Sequence, residues 1–217
     1  MATLGVGSHV ELLEITRPSR EDFAVRHGYE VVEETNDLGE GRPLSWGKVR
    51  LLQRLVASFD QVFWIDADAI LVDSSRDVAD DMLGQDLGLV SHRYAGQVVP
   101  NAGVLFLRNT SWTADFLQRQ WDAAEFVHHK WWDNAALLHL TGFTTTEPVQ
   151  RVRDTHDGAH VCEIPQRWNV IPQAEAATPA IVHLPGFPHS TRLSLMSRLA
   201  ADPGDAASIL DELREAL

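Results

Sequence analysis

The hydrophobic pattern of the chain changes between short apolar runs and longer stripes at helical spacing. Residues 62–65 form an unbroken apolar run that is too short for a helix, so it predicts a strand buried on both faces of a sheet. The stripe before it has apolar residues at intervals of three or four: Val49, Leu52, Val56 and Phe59. This spacing predicts one buried face of a helix, for which Ser45 is the expected N-cap.

The same reasoning predicts further strands and helices in alternation. Strands are expected over residues 3–7, 87–90, 104–107 and 180–184. Helices are expected over residues 19–28, capped by Ser19 and ended by Gly28, and over residues 78–83, 111–124, 133–140 and 206–217. This alternation predicts an α/β fold with a mixed, mainly parallel sheet flanked by helices. No repeat or linker-like stretch divides the chain, so a single domain over residues 1–217 is expected.

Composition and charge narrow the possible functions. Hydrophobic residues make up 44% and charged residues 23% of the chain, as in ordinary globular proteins. No stretch approaches the ~20 apolar residues of a membrane span, no secretory signal pattern begins the chain, and Cys162 has no second cysteine to pair with. We therefore expect a cytoplasmic protein. The net charge of −13 disfavours nucleic-acid binding, and it means that a bound diphosphate needs a local positive charge such as a divalent cation.

An acid pair follows the predicted central strand. Asp66 and Asp68 come directly after the apolar run at residues 62–65, separated by one alanine. In parallel sheets ligands bind at the carboxyl ends of the strands, and carboxylate oxygens suit Mg²⁺ or Mn²⁺, which in turn bridge phosphate oxygens. An ordinary turn is the alternative, because Asp is common where strands end. Two adjacent acids at a buried strand end repel each other unless something neutralises them, which favours a cation site.

Two other functional interpretations fit an acid pair in this place. In haloacid-dehalogenase-like phosphatases, Asp66 would be the nucleophile and Asp68 the general acid. That chemistry also needs a downstream lysine and a later acidic pair. The only downstream lysine is Lys130, within the segment His-His-Lys-Trp-Trp at residues 128–132, which is expected to be a solvated loop. A non-catalytic nucleotide-sugar-binding protein is the third interpretation.

Seven segments, taken in order, resemble one family of GT-A glycosyltransferases. They are RHGYE (26–30), WGK (46–48), FWIDADA (63–69), NAGVLFLRN (101–109), WDNAAL (132–137), IPQRWN (164–169) and IVHLPG (181–186). Together they resemble the galactosyltransferase family that includes fungal α-mannosyl- and α-galactosyltransferases and plant xyloglucan xylosyltransferases (glycosyltransferase family 34). The chain has Asp133-Asn134 where the family usually has Asp-Gln. It also shows no eukaryotic anchor and stem, so a bacterial-type cytosolic enzyme is expected.

The resemblance implies a metal-dependent enzyme that moves a sugar from a nucleoside diphosphate sugar to a hydroxyl of a saccharide or small-molecule acceptor, with retention. Asp66 and Asp68 are then expected to bind Mn²⁺ or Mg²⁺, with His183 as the third protein ligand and Asp66 also near the donor. Residues about 1–110 would form the donor half of a single GT-A domain. Residues about 111–217 would form the acceptor half.

The resemblance also implies roles for residues outside the metal site. Further donor contacts are expected from Lys48, Asn101, Gly103 and Gly186. Asp133 is expected beside the reacting sugar carbon, although an acid in the first turn of a helix can also be a simple cap. Trp168 and Asn169 are expected in an acceptor platform, because aromatic rings stack well on sugars. Arg192 and His189 follow the His183 segment and are further candidates for contact with the diphosphate. The sequence does not identify the sugar, the base, the acceptor or the oligomeric state.

Overall fold

The computed structural model describes residues 1–153, 155–174 and 178–216. The strands are β1 (Ala2–Leu4), β2 (Val32–Glu34), β3 (Gln61–Ile65), β4 (Ala69–Leu71), β5 (Leu87–Tyr94), β6 (Gln97–Arg108), β7 (Val161–Glu163) and β8 (Ile181–His183). The α-helices are α1 (His9–His27), α2 (Gly47–Val56), α3 (Ser111–Asp122), α4 (Trp132–Leu140), α5 (His189–Ala201) and α6 (Ala206–Ala216). In the described part of the chain, no helix is both long and apolar enough to cross a membrane.

Six strands form one mixed sheet in the order β2-β1-β3-β6-β5-β7. β1 is parallel to β2 and β3, and β5 is parallel to β7, whereas β6 runs antiparallel to both of its neighbours. Strands β4 and β8 form a separate antiparallel pair, in which His183 lies opposite Ala69. The predicted mixed, mainly parallel α/β architecture is confirmed.

Strand β3 lies in the middle of the sheet and contributes to the core on both faces. Val62 and Trp64 pack on the side of α2, α3 and α4, whereas Phe63 and Ile65 pack on the opposite side, with α1. All four side chains are at most 2% exposed, as the unbroken apolar run predicts. The stripe on α2 is confirmed too, because its residues at 49, 52 and 56 are buried in the cluster that contains Trp64. A third cluster joins α1, α5 and α6 to the β4–β8 pair.

The first helix differs most from its prediction. It begins at His9, ten residues before the expected cap at Ser19, and it contains Pro18. The Ser19 hydroxyl donates to the Thr16 carbonyl inside the helix and caps nothing. Helix α1 packs on two sides, with Leu12 in the α5 and α6 cluster and Phe23 against β3, so its apolar residues form no single stripe. The predicted end at Gly28 is confirmed, because this glycine adopts the left-handed conformation of a C-cap, with φ +75°.

Other boundaries shift because of short turns. Ser45 lies within the 3₁₀ turn Leu44–Trp46 that leads into α2, so it is not the N-cap of that helix. The helix predicted over residues 78–83 is only the 3₁₀ turn Val78–Asp81, capped by the side chain of Asp77. The short strands β2, β4 and β7 and the helix α5 were not predicted. The strands have three residues each, too few to show a periodic pattern.

Truncation of Trp168 to alanine tests the packing against β3. The indole has no exposed surface, its ring edge meets Phe23 at 6.3 Å and Phe63 at 6.1 Å between centroids, and its Nε1–H donates to Asp81 Oδ2 at 2.7 Å. We expect Trp168→Ala to lower the free energy of unfolding by about 3–5 kcal/mol in urea titrations, because it opens a cavity and removes the hydrogen bond to Asp81 Oδ2. Leu83→Ala, at a side chain that is 77% exposed, should change it by less than about 0.5 kcal/mol. Equal effects of the two substitutions would contradict this account.

Candidate functional site

The acid pair lies where the backbone leaves the carboxyl end of β3. The last residue of β3, Ile65, pairs with Val104 of β6. The backbone amide of Asp66, the next residue, donates to the Gly103 carbonyl at 2.8 Å. The Asp66 carboxylate then turns back over the sheet edge and accepts from Trp64 Nε1 at 2.7 Å. The Trp64 ring itself belongs to the core, so the packing of β3 fixes the orientation of this carboxylate.

Lys48 projects from the first turn of α2 into the same place. Its Nζ lies 2.9 Å from Asp66 Oδ1, 3.2 Å from Asp133 Oδ2 and 2.9 Å from the Ala102 carbonyl oxygen. Burial alone would lower the pKa of Lys48, but Asp133 and Asp66 outweigh it and raise that pKa above its ordinary value. The ammonium therefore stays charged and bridges two carboxylates. This geometry makes Lys48 a support for the two acids, and its predicted contact with the donor stays a prediction.

Asp68 faces two partners that come from much later in the chain. Its Oδ2 accepts from Arg192 Nη1 at 2.8 Å, and its Oδ1 lies 3.3 Å from His183 Nε2. Burial raises the pKa of a carboxyl, yet His183 and Arg192 together hold the pKa of Asp68 well below its usual range. The opposite holds at Asp66, where burial and the neighbouring Asp68 charge raise the pKa in spite of Lys48. The two acids are therefore unequal, and Asp68 is the one held firmly as an anion.

The three expected ligands meet at this point. One ligand atom each from Asp66, Asp68 and His183 lies within 4.8 Å of the other two. Oxygen ligands bind Mg²⁺ at about 2.1 Å, so ligand atoms in an octahedral site are about 3 Å apart when adjacent and about 4.2 Å apart when opposite. The observed spread fits one cation after a small closure. Two carboxylates and one imidazole also leave coordination positions for ligands from outside the protein.

A chain of amide hydrogen bonds fixes the His183 ring. The Gly103 amide donates to Asn101 Oδ1 at 2.8 Å, so this oxygen is an acceptor, and Asn169 Nδ2 donates to it at 2.9 Å. The other end of the Asn169 amide is then Oδ1, which lies 2.9 Å from His183 Nδ1. Since that oxygen can only accept, Nδ1 carries the proton. Nε2 is then the ring nitrogen that faces Asp68, so it is the one that would bind a cation.

Gly103 provides the space in which the imidazole lies. A Cβ at this position would be 2.2 Å from His183 Cε1 and 2.6 Å from its Nδ1. The structure fills this space with the His183 ring. Asn101 Oδ1 accepts hydrogen bonds within the chain of amides that holds this ring. Both residues therefore support His183, and their predicted contacts with the donor stay predictions.

Asp133 is brought to the site by the start of α4. It is 4% exposed, and its Oδ2 lies within ion-pair distance of Lys48 but without hydrogen-bond geometry. The next residue, Asn134, accepts from the Ala102 amide at 2.8 Å and so ties α4 to β6 beside Asn101. Through Lys48, the structure therefore places Asp133 and Asp66 around one ammonium group. Asp133 lies four residues before the buried Leu137, so both face the interior from the same side of α4.

The predicted acceptor platform is wrong in its two residues. Trp168 has no exposed surface and no face on which a sugar could stack, because it packs between Phe23 and Phe63. Asn169 is also fully buried, and its backbone carbonyl accepts from His92 Nε2 at 2.7 Å. Trp168 therefore belongs to the core, and Asn169 holds the His183 ring from behind.

Gly186 lies outside this cluster of contacts. It is exposed, adopts a left-handed φ of +77° and has no atom within 4 Å of the place where a Cβ would lie, so it serves the turn between β8 and α5. Its predicted contact with the donor stays a prediction. Arg192 has a more definite place than the sequence indicated, because its Nη1 bridges Asp68 and His9 Nε2, the latter at 3.2 Å. His9, at the start of α1, carried no signal in the sequence, since its partner is 183 residues away.

Comparisons with known proteins give the architecture its context. A sequence model of the galactosyl transferase GMA12/MNN10 family matches residues 5–94. Two rice proteins (Oryza sativa subsp. indica and subsp. japonica), each named probable glycosyltransferase 2, are 30% identical over 122 residues. That match covers 52% of this chain but only 25% of each rice protein, so the chain corresponds to a minor part of their length.

Solved structures extend the similarity to almost the whole chain. A glycosyltransferase involved in glycosylation of the major capsid of PBCV-1 superposes with a TM-score of 0.66 at 14% identity, covering 91% of this chain and 98% of that one. The galactosyltransferase LgtC, solved with donor and acceptor sugar analogs, gives 0.58 at 15% identity over 93% and 95%. Glycosyltransferase GlyE of Streptococcus pneumoniae TIGR4 gives 0.56 at 14% identity over 91% and 62%.

This chain is similar to glycosyltransferases in sequence over residues 5–94 and in fold over almost its whole length. The family match and the rice relatives confirm the predicted resemblance over the part of the chain that they cover. The predicted GT-A architecture is confirmed by the structural neighbours. The division into donor and acceptor halves near residue 110 stays a prediction.

Substitution of Gly103 by alanine tests the support of the metal ligand. The added methyl group collides with the His183 ring, whose Nδ1 is also held by Asn169, so the imidazole must leave its place. We expect Gly103→Ala to weaken Mn²⁺ binding about 10–100-fold in calorimetric titrations, as is usual when the support of a ligand is lost. Gly204→Ala, in the 3₁₀ turn Pro203–Asp205 before α6, is the matched control and should leave the affinity unchanged. An unchanged affinity in Gly103→Ala would show that His183 is not a ligand.

Proposed function

We propose that the protein is a metal-dependent glycosyltransferase that moves a sugar from a nucleoside diphosphate sugar to an acceptor hydroxyl. The observation that carries this proposal is the convergence of Asp66, Asp68 and His183 at the carboxyl end of the central strand. Ligands bind at this edge in open α/β sheets. The family match and the structural neighbours, all glycosyltransferases by name, support the same reaction class.

The charges around the site support a need for a cation. Among the residues that the structure describes, the carboxylates of Asp66, Asp68 and Asp133 face two side chains with a permanent positive charge, Lys48 and Arg192. The chain as a whole carries a net charge of −13. A diphosphate would therefore meet a negative site on a negative protein unless a divalent ion lay between them. We propose Mn²⁺ or Mg²⁺ for this ion, because the donor set contains two hard carboxylates and one imidazole.

The protein's own residues would have separate tasks in the reaction. The bound cation would supply positive charge near the departing diphosphate. Asp68 and His183 would hold it, and Asp66 would share that task while Lys48 keeps its carboxylate in place. Asp133 would lie beside the reacting sugar carbon, where its negative charge favours an oxocarbenium-like transition state. Retention of anomeric configuration is proposed from the resemblance, with the leaving phosphate taking the proton of the acceptor hydroxyl.

No contact supports the phosphatase interpretation. Lys130, the lysine that this chemistry would need, pairs with Glu147 at 2.8 Å and lies over the Trp131 ring. The nucleophile would be Asp66, yet its oxygens are engaged by Trp64 and by the Lys48 ammonium. Among the described residues, the contacts of Asp66 and Lys130 therefore favour glycosyl transfer.

Thermal unfolding with nucleotides tests the proposed donor site. With Mn²⁺ or Mg²⁺, we expect UDP, GDP or dTDP at about a hundred times its Kd to raise Tm by about 5–10 °C, because the ligand binds only the folded state. Asp68→Asn and His183→Ala should remove the metal-dependent part of this shift. Asp60→Asn, an exposed acid at the opposite end of β3, is the control and should keep it.

Two results would overturn the proposal. The first is that none of the three nucleotides stabilises the protein with either metal ion. The second is release of phosphate from an aryl phosphate that disappears in Asp66→Asn, because this is the behaviour of the phosphatase.

Replacement of Asp133 by asparagine separates catalysis from donor binding. The amide keeps the size of the side chain and an oxygen for Lys48, but it removes the negative charge near the reacting carbon. We expect kcat for metal-dependent turnover of the donor to fall about 100-fold or more, with the nucleotide-induced rise in Tm retained. Initial rates with each candidate nucleotide sugar measure the first quantity. A kcat within a factor of two of the native value would remove Asp133 from the reaction.

A further inference from the structure

The segment at residues 128–132, expected to be a loop, is held by specific bonds. His129 Nδ1 accepts from the Trp131 amide at 3.1 Å, so its other nitrogen carries the proton and donates to the Thr145 carbonyl at 2.9 Å. Lys130 pairs with Glu147 at 2.8 Å, and its ammonium lies 4.5 Å from the centre of the Trp131 ring. Two successive residues, His129 and Lys130, thus tie this segment to residues 145–147. Its last residue, Trp132, is therefore presented from a fixed base.

Trp132 differs from the other tryptophans of the chain. Six of the seven, at positions 46, 64, 112, 121, 131 and 168, have ring or cation contacts. Within the described ranges, the Trp132 ring has no such contact, and 47% of the residue is exposed. Its backbone has φ +45°, the left-handed region that a bulky residue rarely adopts. The fold therefore accepts local strain where it exposes an indole that packs on no described aromatic or cationic side chain.

The position of this indole relates it to the proposed reaction. Trp132 is the first residue of α4 and precedes Asp133, so their Cα atoms are about 3.8 Å apart. Asp133 in turn lies 3.2 Å from Lys48 Nζ, which contacts Asp66 at 2.9 Å. An acceptor hydroxyl must reach the same reacting carbon as Asp133. The ring that carries that hydroxyl then lies within the reach of a tryptophan side chain at residue 132.

We propose that Trp132 is the stacking platform for a pyranose ring of the acceptor. The inference rests on the proposed glycosyl transfer and replaces the platform expected at Trp168, which the core encloses. The apolar C–H face of a pyranose covers an indole ring and removes it from water, while the sugar hydroxyls at the rim stay solvated. The fixed base at residues 129–131 means that little freedom is lost on binding. The partner is therefore a saccharide rather than an aliphatic or peptide acceptor.

Fluorine NMR with 5-fluorotryptophan tests this platform directly. The protein has seven tryptophans, and Trp132→Phe assigns the resonance of residue 132 by its disappearance. The probes are millimolar methyl and nitrophenyl glycosides of glucose, galactose, mannose and xylose, added in the presence of Mn²⁺ and UDP. We expect at least one glycoside to shift the Trp132 resonance. A panel that leaves this resonance unmoved overturns the proposal.

Kinetics with the same glycosides then separate stacking from other roles. Trp132→Ala should raise KM for the responding glycoside about tenfold or more, whereas Trp132→Phe, which keeps an aromatic ring, should raise it less than about threefold. Leu83→Ala, an exposed apolar residue on another part of the surface, is the control. An unchanged KM in Trp132→Ala overturns the proposal.

The rise in Tm with Mn²⁺ and UDP separates a failure of the acceptor platform from a failure of the proposed glycosyl transfer. Its retention in Trp132→Ala, together with the loss of acceptor affinity, supports an acceptor platform. If the native protein shows this rise in Tm and Trp132→Ala does not, the residue belongs to the donor site and the proposal is overturned. Absence of the rise in the native protein is a failure of the proposed glycosyl transfer, and the shift of the fluorine resonance still reports whether Trp132 meets a sugar.

Discussion

The geometry of the site depends on the buried ammonium of Lys48. This group, carried by α2, contacts Asp66 after β3, the Ala102 carbonyl of β6 and Asp133 of α4. Burying a charged group without partners costs several kcal/mol. The ammonium and the two carboxylates therefore remain charged only if each of these elements holds its oxygen beside Lys48. The Trp64 ring lies 5.6 Å below the same ammonium, and its N–H holds Asp66. Four elements are thus fixed against one another at the sheet edge where the candidate ligands converge.

His183, the third candidate ligand, is positioned by hydrogen bonds to amide groups rather than by charge. Strand β8 brings His183 beside the acid pair because it pairs with β4, which follows Asp68 after a single peptide bond. The Gly103 amide, Asn101 and Asn169 then determine which imidazole nitrogen is free. Nearby His92 has a pKa lowered by burial to about 4 and is therefore neutral at pH 7. The ring orientation is set before any ion arrives, which reduces the reorganisation that binding requires.

The sequence predicted the structure correctly where a local pattern of residues determines it. Residues 62–65 are buried on both faces, the stripe on α2 is buried as its spacing indicates, and Asp66 and Asp68 lie at the predicted strand end. The roles of Lys48 and Asn169 could not be obtained in this way, because their partners are separated from them by 18 and 54 residues in one case and 14 and 68 in the other. Helix α1 was misread for the same reason, since its two buried sides pack on distant elements.

The tryptophans show how core packing determines the orientation of polar groups. Trp64, Trp112 and Trp168 each donate the indole N–H to a carboxylate, at 2.7, 3.0 and 2.7 Å, while their rings pack on other side chains. A ring held by its neighbours has little freedom, so the acid that accepts from it is held as well. Of the three acceptors, only Asp66 belongs to the candidate site. The same arrangement of indole and carboxylate therefore also stabilises parts of the fold away from the site. Composition alone therefore could not separate tryptophans that support the fold from one that meets a ligand. The distinction requires the backbone, because it is φ at residue 132 and the bonds of the preceding segment that leave one indole outside the packing.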